Sequence, residues 1–334
     1  MKKILVTGGA GYIGSLLIPY LIKKGHIVTN IDSHIFKGFY PLENYKHTNY
    51  KFVKCDIRDE DYIEYLFRGM KFNTIIHLAA LVGEPLCKSV PELAKEINLN
   101  ATKSLVNLSK KYSIYHFIFA STCSNYGISK NKFASETSSL KPLSLYSETK
   151  IQSENYVMTK ANKNFFPTIL RFATVFGVSP RMRFDLLINE LVRDAFCKKE
   201  INLYNPSGWR PFVHISDAVR ALEMSVSAPL EITARQIFNV GGDGGNIRKI
   251  DIASILKEFL PNTEIILTQG KDVDLRNYRV SFKKIKDTLH YSTYVTIKKG
   301  IEEIIEALNS SIFNHPYDDI YRNVLKKESA YGER

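Results

Sequence analysis

The fold is decided by Lys2-Lys3-Ile4-Leu5-Val6-Thr7-Gly8-Gly9-Ala10-Gly11-Tyr12-Ile13-Gly14. Residues 4–6 form a short apolar run with the length of one buried strand. Closely spaced glycines follow, and residues 12–24 then show the apolar periodicity of a helix. A strand, a glycine turn and a helix N-terminus make a pocket for a pyrophosphate, because backbone N–H groups face the anion.

The glycines fit two spacing patterns. Residues 9–14 match G-x-G-x-x-G, and Gly8, Gly11 and Gly14 also match G-x-x-G-x-x-G. Glycine turns occur for packing alone, so the match by itself is weak. Its place directly after a strand favours a dinucleotide site that also includes Tyr12 and Ile13.

An acidic residue closes the second predicted strand, Ile27–Asp32. A dinucleotide fold places a carboxylate at this point to accept hydrogen bonds from the adenosine ribose. Because an acid there repels a 2′-phosphate, Asp32 favours NAD over NADP. A surface-loop aspartate is the alternative. Residues 33–50 are polar and aromatic without periodicity and are predicted to form a loop.

Composition and length bound the class of protein. The 334 residues are 44% hydrophobic and 24% charged, as in an ordinary globular protein. No apolar run approaches the ~18–20 residues that span a bilayer, and the first residues form a strand, not a signal peptide. We therefore expect a cytoplasmic protein without a membrane partner. The four cysteines lack a C-x-x-C pair, so reduced thiols are expected and neither disulfides nor a metal site.

The formal charge of +12 raises the question of nucleic-acid binding. The lysines are mostly scattered pairs such as Lys110-Lys111 and Lys326-Lys327, as on solvated helix faces. No basic tail or recognisable nucleic-acid module accompanies them. The charge is therefore interpreted as suiting an enzyme with an anionic substrate, and no nucleic-acid partner is expected.

Strand and helix patterns alternate along the first part of the chain. Residues 50–59 resemble a third strand running into a helix, residues 72–78 a fourth strand, residues 91–112 a long helix and residues 116–120 a fifth strand. Such alternation predicts a doubly wound parallel sheet, an α/β fold of the Rossmann type. Ligands bind beyond the carboxyl ends of such strands. Small residues in the stretch Leu78-Ala79-Ala80 would let a cofactor lie against the backbone.

A possible catalytic group follows the fifth strand. Tyr146 and Lys150 are four residues apart and share one helix face, while Thr122 ends the strand. A phenol has a pKa of about 10, and a neighbouring ammonium favours the phenolate. The three side chains could remove a proton from an alcohol while a hydride leaves for nicotinamide. Tyr-x-x-x-Lys alone is common, and its position after the glycine run and Asp32 gives it weight.

Together these residues resemble the extended short-chain dehydrogenase/reductase family of nucleotide-sugar epimerases, dehydratases and oxidoreductases. The resemblance covers essentially the whole chain. It rests on residues 7–14, Asp32, Asp56-Ile57, His77 to Ala80, Thr122 and the Tyr146/Lys150 pair. It implies that Asp56, Ile57, Leu78, Ala79, Ala80 and Asn98 contact the cofactor, with Ala101 in place of the glycine of many members.

The C-terminal part carries further marks of the resemblance. Residues 171–177 resemble the loop that turns from cofactor to sugar nucleotide, and residues 239–242 a later motif. Residues 209–218 and 274–278 each resemble a segment whose arginine, here Arg210 and Arg276, reaches the nucleotide's phosphates. Arginine binds phosphate bidentately. A surface ion pair is the alternative for both.

Departures from the family pattern narrow the reaction. In the 4,6-dehydratase branch, the catalytic threonine is followed by Asp and Glu, where this chain has Cys123 and Ser124. Neither replaces that acid and base, so dehydration is disfavoured, and both residues are assigned to the substrate site. Thr174 replaces a family asparagine, which puts the usual diphosphate contact there in doubt.

Residues 79–88 and 173–187 are similar to a subgroup that includes NAD-dependent GDP-heptose 4-dehydrogenases of bacterial surface-polysaccharide pathways. Arg181 and Arg183 would then reach the substrate diphosphate, with helix-start solvation as the alternative. The expected function is C4 oxidation of a nucleotide-linked sugar by NAD, with a 4-epimerase as one alternative. A non-catalytic NAD-sensing protein is the alternative of another class.

The resemblance also implies an organisation in two parts. An NAD-binding domain is expected over residues 1–175, to which residues 166–171 contribute a strand, and a nucleotide-sugar lobe over residues 176–334. Helices are predicted near residues 184–198, 250–260 and 295–309. Helices over residues 91–112 and 146–163 would form a four-helix homodimer interface.

Overall fold

The computed structural model describes residues 1–36, 44–268 and 276–325. Its strands are β1 (Lys3–Thr7), β2 (Ile27–Asp32), β3 (Tyr50–Lys54), β4 (Thr74–His77), β5 (His116–Thr122), β6 (Ile128–Ala134), β7 (Phe166–Phe172), β8 (Thr174–Phe176), β9 (Glu200–Tyr204), β10 (Trp209–His214), β11 (Gln236–Val240), β12 (Asn246–Arg248), β13 (Glu264–Thr268) and β14 (Asn277–Val280). Its helices are α1 (Gly14–Lys23), α2 (Glu60–Gly69), α3 (Glu84–Ser89), α4 (Pro91–Lys95), α5 (Ala101–Lys111), α6 (Leu145–Thr159), α7 (Leu187–Lys198), α8 (Ile215–Ser227), α9 (Leu230–Thr233), α10 (Lys249–Phe259), α11 (Lys283–Leu289) and α12 (Ile297–Asn309).

A parallel sheet of seven strands runs in the order β11-β7-β5-β4-β1-β2-β3. Successive strand residues point to opposite faces, so Ile4 packs with α1, α8 and α11 on one side. Leu5 packs with α2, α5 and α6 on the other. The sheet is therefore covered on both faces, as parallel sheets are. The predicted doubly wound α/β fold is confirmed.

A smaller lobe has its own apolar core. Helices α7, α10 and α12 pack there with β9 and β10. Strand β13 pairs with β9, and β10 pairs with β8 and β12. Strands β7 and β11 belong to the central sheet, as predicted for residues 166–171. The boundary at residue 175 and the homodimer both stay predictions.

The helix predicted over residues 91–112 is interrupted. A single π-helical turn, Glu96–Asn100, separates α4 from α5. The Asn98 carbonyl accepts hydrogen bonds from Thr102 Oγ1 and Ser153 Oγ, both at 2.8 Å. The two hydroxyls thus bind a carbonyl of the π-helical turn. Such turns are frequent at functional sites.

Several predicted bounds are wrong by a few residues. The first helix begins at Gly14 and not at residue 12, and α7 begins at Leu187 and not at residue 184. The backbone N–H of Phe184 donates to the Tyr321 carbonyl at 2.8 Å and is thus not part of the helix. Helix α6 ends at Thr159, before the predicted residue 163. Strand β4 is shorter than residues 72–78.

Parts of three predictions lie outside the described residues. They are residues 37–43 of the loop predicted over 33–50, Asp274 and Leu275 of the motif before Arg276, and the Lys326-Lys327 pair. Within the described ranges, no helix combines the length and apolarity that crossing a bilayer requires.

The sheet core gives a first prediction. Ile118 is fully buried in β5, an inner strand of the sheet, so Ile118→Ala leaves a cavity there. We expect it to lower the free energy of unfolding by about 2–5 kcal/mol in urea denaturation. Ile312→Ala removes the same atoms from a side chain that is 64% exposed. It should change the free energy by less than about 0.5 kcal/mol, and equal effects would contradict the assigned core.

Candidate active site

A cavity of about 1390 Å³ opens beyond the carboxyl ends of the central strands. That is where ligands bind in a doubly wound fold. Of the predicted site residues, those lining it are Gly8, Gly11, Tyr12, Ile13, Gly14, Asp32, Asp56, Ile57, Leu78, Ala79, Ala80, Thr122, Ser124, Tyr146, Lys150, Thr174, Arg181, Arg183, Arg210 and Arg276. The structure thus brings residues from separate parts of the sequence to the wall of one cavity.

The glycine loop is tightly packed against its own chain. Gly8 has φ +73°, and a Cβ there would lie 2.6 Å from the Ala79 nitrogen. A Cβ on Gly14 would lie 2.4 Å from Gly9 Cα. On Gly11 the nearest atom within 4 Å would be the Gly8 carbonyl oxygen at 3.1 Å. The packing alternative therefore accounts for Gly8 and Gly14, while Gly11 leaves room for a ligand to approach the backbone.

Asp32 lies beside this loop at the end of β2. Its carboxylate accepts hydrogen bonds from the backbone N–H groups of Ala10 at 3.0 Å and His34 at 2.8 Å. Burial raises its pKa, and the two N–H groups act in the opposite direction. The accessible backbone of the loop could bind a pyrophosphate, and the oriented Asp32 carboxylate could accept hydrogen bonds from an adenosine ribose.

A second part of the cavity, the hydroxyl wall, consists of Thr122, Ser124, Tyr146 and Lys150. Strand β5 ends at Thr122, whose Oγ1 accepts from the Ser124 backbone N–H at 3.1 Å and lies 3.0 Å from Ser124 Oγ. Ser144 caps α6 in a capping box, which starts the helix just before Tyr146. The first turn of α6 therefore presents the phenol and, one turn later, the lysine.

Two arginines act on the buried phenol of Tyr146. Burial raises the pKa of the phenol, and the cations that counteract it are Arg183 and then Arg276. The Lys150 ammonium donates to the Ala120 carbonyl at 2.9 Å and lies 4.7 Å from the centre of the Phe119 ring. Burial lowers the pKa of Lys150 to about 8. Arg183 and Arg276 thus favour the phenolate of Tyr146, and the predicted effect of Lys150 on the phenol stays a prediction.

A third part, the cationic end, contains Arg210, Arg276 and Lys249. Arg210 is 3% exposed, so the surface ion-pair alternative is wrong for it. Lys249 was missed in the sequence. Its ammonium donates to the Tyr204 carbonyl at 3.0 Å, and burial together with the two arginines lowers its pKa to about 8. It begins the buried stripe at positions 249, 252, 253 and 256 of α10. A lysine on an otherwise apolar helix face is the sequence feature that could have indicated a functional residue here.

Arg181 and Arg183 are both buried, and α7 begins only at Leu187, so the helix-start solvation alternative is wrong. The Arg183 guanidinium binds Asp185 through two hydrogen bonds of 2.9 and 2.6 Å. Arg181 lies over the Phe36 ring at 5.4 Å and donates to the Arg322 carbonyl at 3.2 Å. Burial lowers the pKa of Arg181 to about 10, and Asp185 and Asp32 act in the opposite direction.

Two predicted contact residues do not lie on the cavity wall. Asn98 is buried, and its side-chain amide binds the backbone N–H and carbonyl of Leu81 at 2.8 and 3.0 Å. It shapes the loop after β4 and does not face the cavity. The Cys123 thiol points into the core and donates to the Arg171 carbonyl at 3.1 Å. The assignments of Asn98 to the cofactor and Cys123 to the substrate are therefore corrected.

Comparison with known proteins agrees with this geometry. The model of the NAD dependent epimerase/dehydratase family matches residues 4–241. The chain belongs to this family. The prediction of NAD as the cofactor is confirmed with it, and the glycine loop and Asp32 are the residues that fit that group.

Individual relatives are distant and cover nearly the whole chain. An uncharacterized UDP-glucose epimerase of Bacillus subtilis is 31% identical over 92% of this chain and 98% of its own. A UDP-glucuronate 4-epimerase of Thermodesulfobacterium geofontis is 26% identical over 93% and 98%. The solved UDP-glucose 4-epimerase of Thermotoga maritima superposes with a TM-score of 0.83 at 26% identity, over 93% of this chain and 99% of that one.

The glycine loop gives a second prediction. A methyl group on Gly14 meets backbone and not a flexible side chain, so the loop has to shift. We expect Gly14→Ala to weaken NAD binding at least about tenfold in isothermal titration calorimetry. In the matched variant Gly69→Ala the new methyl meets no heavy atom within 4 Å beyond its chain neighbours and the backbone of its own helix, and affinity should stay unchanged. Equal affinity of the Gly14 variant and the wild type would contradict the assignment.

The buried lysine gives a third prediction. The pKa of Lys150 is about 8 in the folded chain against 10.5 for the ordinary group, so the folded state binds fewer protons in between. The buried ammonium therefore lowers the free energy of unfolding by its full amount below pH 8, and by less as the pH rises towards 10.5. The variant Lys150→Met lacks the buried ammonium and should be more stable than the wild type in urea denaturation. This gain in the free energy of unfolding should be larger at pH 7 than at pH 10.5 by on the order of 1–3 kcal/mol. A difference that does not change with pH would contradict the lowered pKa.

Proposed function

We propose that the chain is an NAD-dependent oxidoreductase that oxidises a nucleotide-linked sugar at C4, in surface-polysaccharide biosynthesis. The observation that carries the proposal is the joining of three parts in one cavity: a dinucleotide loop, the hydroxyl wall and the cationic end. A non-catalytic NAD-sensing protein would need the first part only.

The hydroxyl wall is suited to hold and deprotonate a sugar hydroxyl. Thr122 and Ser124 offer hydroxyl groups that can bind the reacting oxygen. Tyr146 is the proton acceptor, and Arg183 and Arg276 favour its phenolate form. Lys150 would hold the phenolate and the nicotinamide ribose. Bound NAD supplies the hydride acceptor, so the proton and the hydride of the alcohol leave in different directions.

The cationic end is suited to the diphosphate of the substrate. Arg210 and Lys249 are both buried and line the cavity, so an anion placed there would lie next to two positive charges. Guanidinium groups bind phosphate oxygens bidentately. A diphosphate placed there would leave the sugar to extend towards the hydroxyl wall.

GDP-hexoses and GDP-heptoses are the first substrates to test, because residues 79–88 and 173–187 suggest a resemblance to GDP-heptose 4-dehydrogenases in the sequence alone. A second candidate, a 4-epimerase, is favoured by the relatives named UDP-glucose epimerase and UDP-glucuronate 4-epimerase. Both reactions begin with C4 oxidation by the same groups. They differ in whether the ketosugar leaves or is reduced again on its other face.

The test is incubation of the purified chain with NAD and a panel of GDP-, UDP- and dTDP-sugars. NADH absorbance at equilibrium and the stereochemistry of the product are followed. Net oxidation gives NADH and a 4-ketosugar, and epimerisation gives an inverted sugar without net NADH. Neither product from any sugar of the panel would refute both candidates.

The fourth prediction concerns the proton acceptor. Tyr146→Phe removes only the phenolic oxygen, so kcat should fall about 100-fold or more while NAD affinity stays within about twofold. Tyr65→Phe removes the same oxygen from a side chain that is 68% exposed on α2 and should leave kcat unchanged. Full activity of the Tyr146 variant would contradict the assigned role.

A further inference from the structure

A buried ion pair lies directly behind the hydroxyl wall. Glu154 follows Lys150 by one turn on α6, and Arg171 lies in β7. Their side chains are 2% and 4% exposed. No role in the proposed chemistry involves either residue, since neither lines the cavity.

The pair is held by a two-point contact. Arg171 Nε donates to Glu154 Oε1 at 3.0 Å, and Nη2 donates to Oε2 at 2.6 Å. The remaining guanidinium nitrogen, Nη1, donates to the Tyr126 hydroxyl at 3.0 Å. Such fork-like contacts fix distance and orientation together, which a single ammonium contact does not.

The same carboxylate also holds the segment that carries Thr122 and Ser124. Glu154 Oε1 accepts hydrogen bonds from Ser121 Oγ and from Asn125 Nδ2, the latter at 2.9 Å. These two donors flank residues 122–124 in sequence. Glu154 therefore ties α6, which carries Tyr146 and Lys150, to the end of β5, which carries the two hydroxyls.

Arg171 holds the other side of that segment. Its backbone carbonyl accepts the Cys123 thiol at 3.1 Å. Its side chain reaches Tyr126, whose hydroxyl in turn donates to Asn239 Oδ1 in β11 at 2.7 Å. The segment 121–126 is thus held by Glu154 from the helix and by Arg171 from the sheet.

We propose that Glu154 and Arg171 are positioning residues that set the distance between the Thr122–Ser124 hydroxyls and the Tyr146–Lys150 pair. The proposal rests on the proposed function. A buried ion pair contributes little net stability compared with apolar packing, so its value here lies in the fixed geometry of two catalytic elements. Glu154 also favours the charged form of Lys150, since its carboxylate raises the pKa of that ammonium.

The first test needs no substrate. Glu154→Gln removes the charge while keeping the shape, and amide hydrogen exchange is compared at residues 121–126 and 145–150. The control is Asp217→Asn in α8, a carboxylate that is 1% exposed, bound to Arg220 at 2.7 Å and outside the cavity. We expect exchange at both segments to rise at least about tenfold in the Glu154 variant alone. Equal protection in the two variants would overturn the proposal, whether or not the chain turns over any sugar.

The second test uses the sugar that the wild type turns over. Folded Glu154→Gln should lose about tenfold or more in kcat, with the KM for the sugar nucleotide and the NAD affinity within about threefold. Arg171→Lys keeps the positive charge but loses the two-point contact. Because Glu154 can still accept from Ser121 and Asn125, this variant should lose less kcat than Glu154→Gln. Asp217→Asn should lower the melting temperature comparably and keep kcat. Losses of kcat that follow the melting temperature in all three variants would show a structural role only and overturn the proposal.

Discussion

The close approach of Gly8 to the backbone of Ala79 sets the geometry on which the site depends. Strands β1 and β4 are neighbours, and their ends meet only because no side chain stands between the two loops. Gly14 lets the same loop fold back on Gly9 at the start of α1. The loop is thus held from behind by its own chain and leaves Gly11 towards the cavity. Packing and ligand binding are joint consequences of one set of glycines.

Buried positive charge is the second constraint. Burial lowers the pKa of Lys150 and of Lys249 to about 8, and of Arg181 and of Arg210 to about 10. Each such shift is a cost to the folded state, because the charged form is less well solvated inside than in water. An anionic ligand removes part of that cost on binding. The buried cations therefore lower the stability of the free protein, and an anionic ligand in the cavity would offset part of that loss.

The sequence could predict those features that depend on local pattern. The strand–glycine–helix run, Asp32 and the Tyr146/Lys150 spacing each follow from periodicity or from a motif, and all of them line the cavity. The direction of a side chain could not be predicted in the same way, because it depends on contacts with residues that are distant in the sequence. Cys123 lies next to Thr122 but faces the core, as neighbouring residues at a strand end do. The family resemblance implies that Asn98 contacts the cofactor, yet its side-chain amide binds the backbone of Leu81, which only the folded loop brings near. Lys249 is the converse case, a cation without a sequence motif that reaches the cavity from the start of α10.

The inward direction of Cys123 also bears on the reaction. Removal of water from a sugar needs an acid and a base besides the oxidising pair, and burial raises the pKa of the Cys123 thiol far above its ordinary value. The neighbouring Ser124 reaches the cavity but carries only a hydroxyl, a weak acid and a weak base. Thr122 is of the same kind, so segment 122–124 can bind an oxygen but cannot exchange protons readily at neutral pH. The groups of the hydroxyl wall that remain for proton transfer are Tyr146 and Lys150, whose pKa burial lowers to about 8. This pair suits the proposed alcohol–ketone conversion, the step that oxidation and epimerisation share.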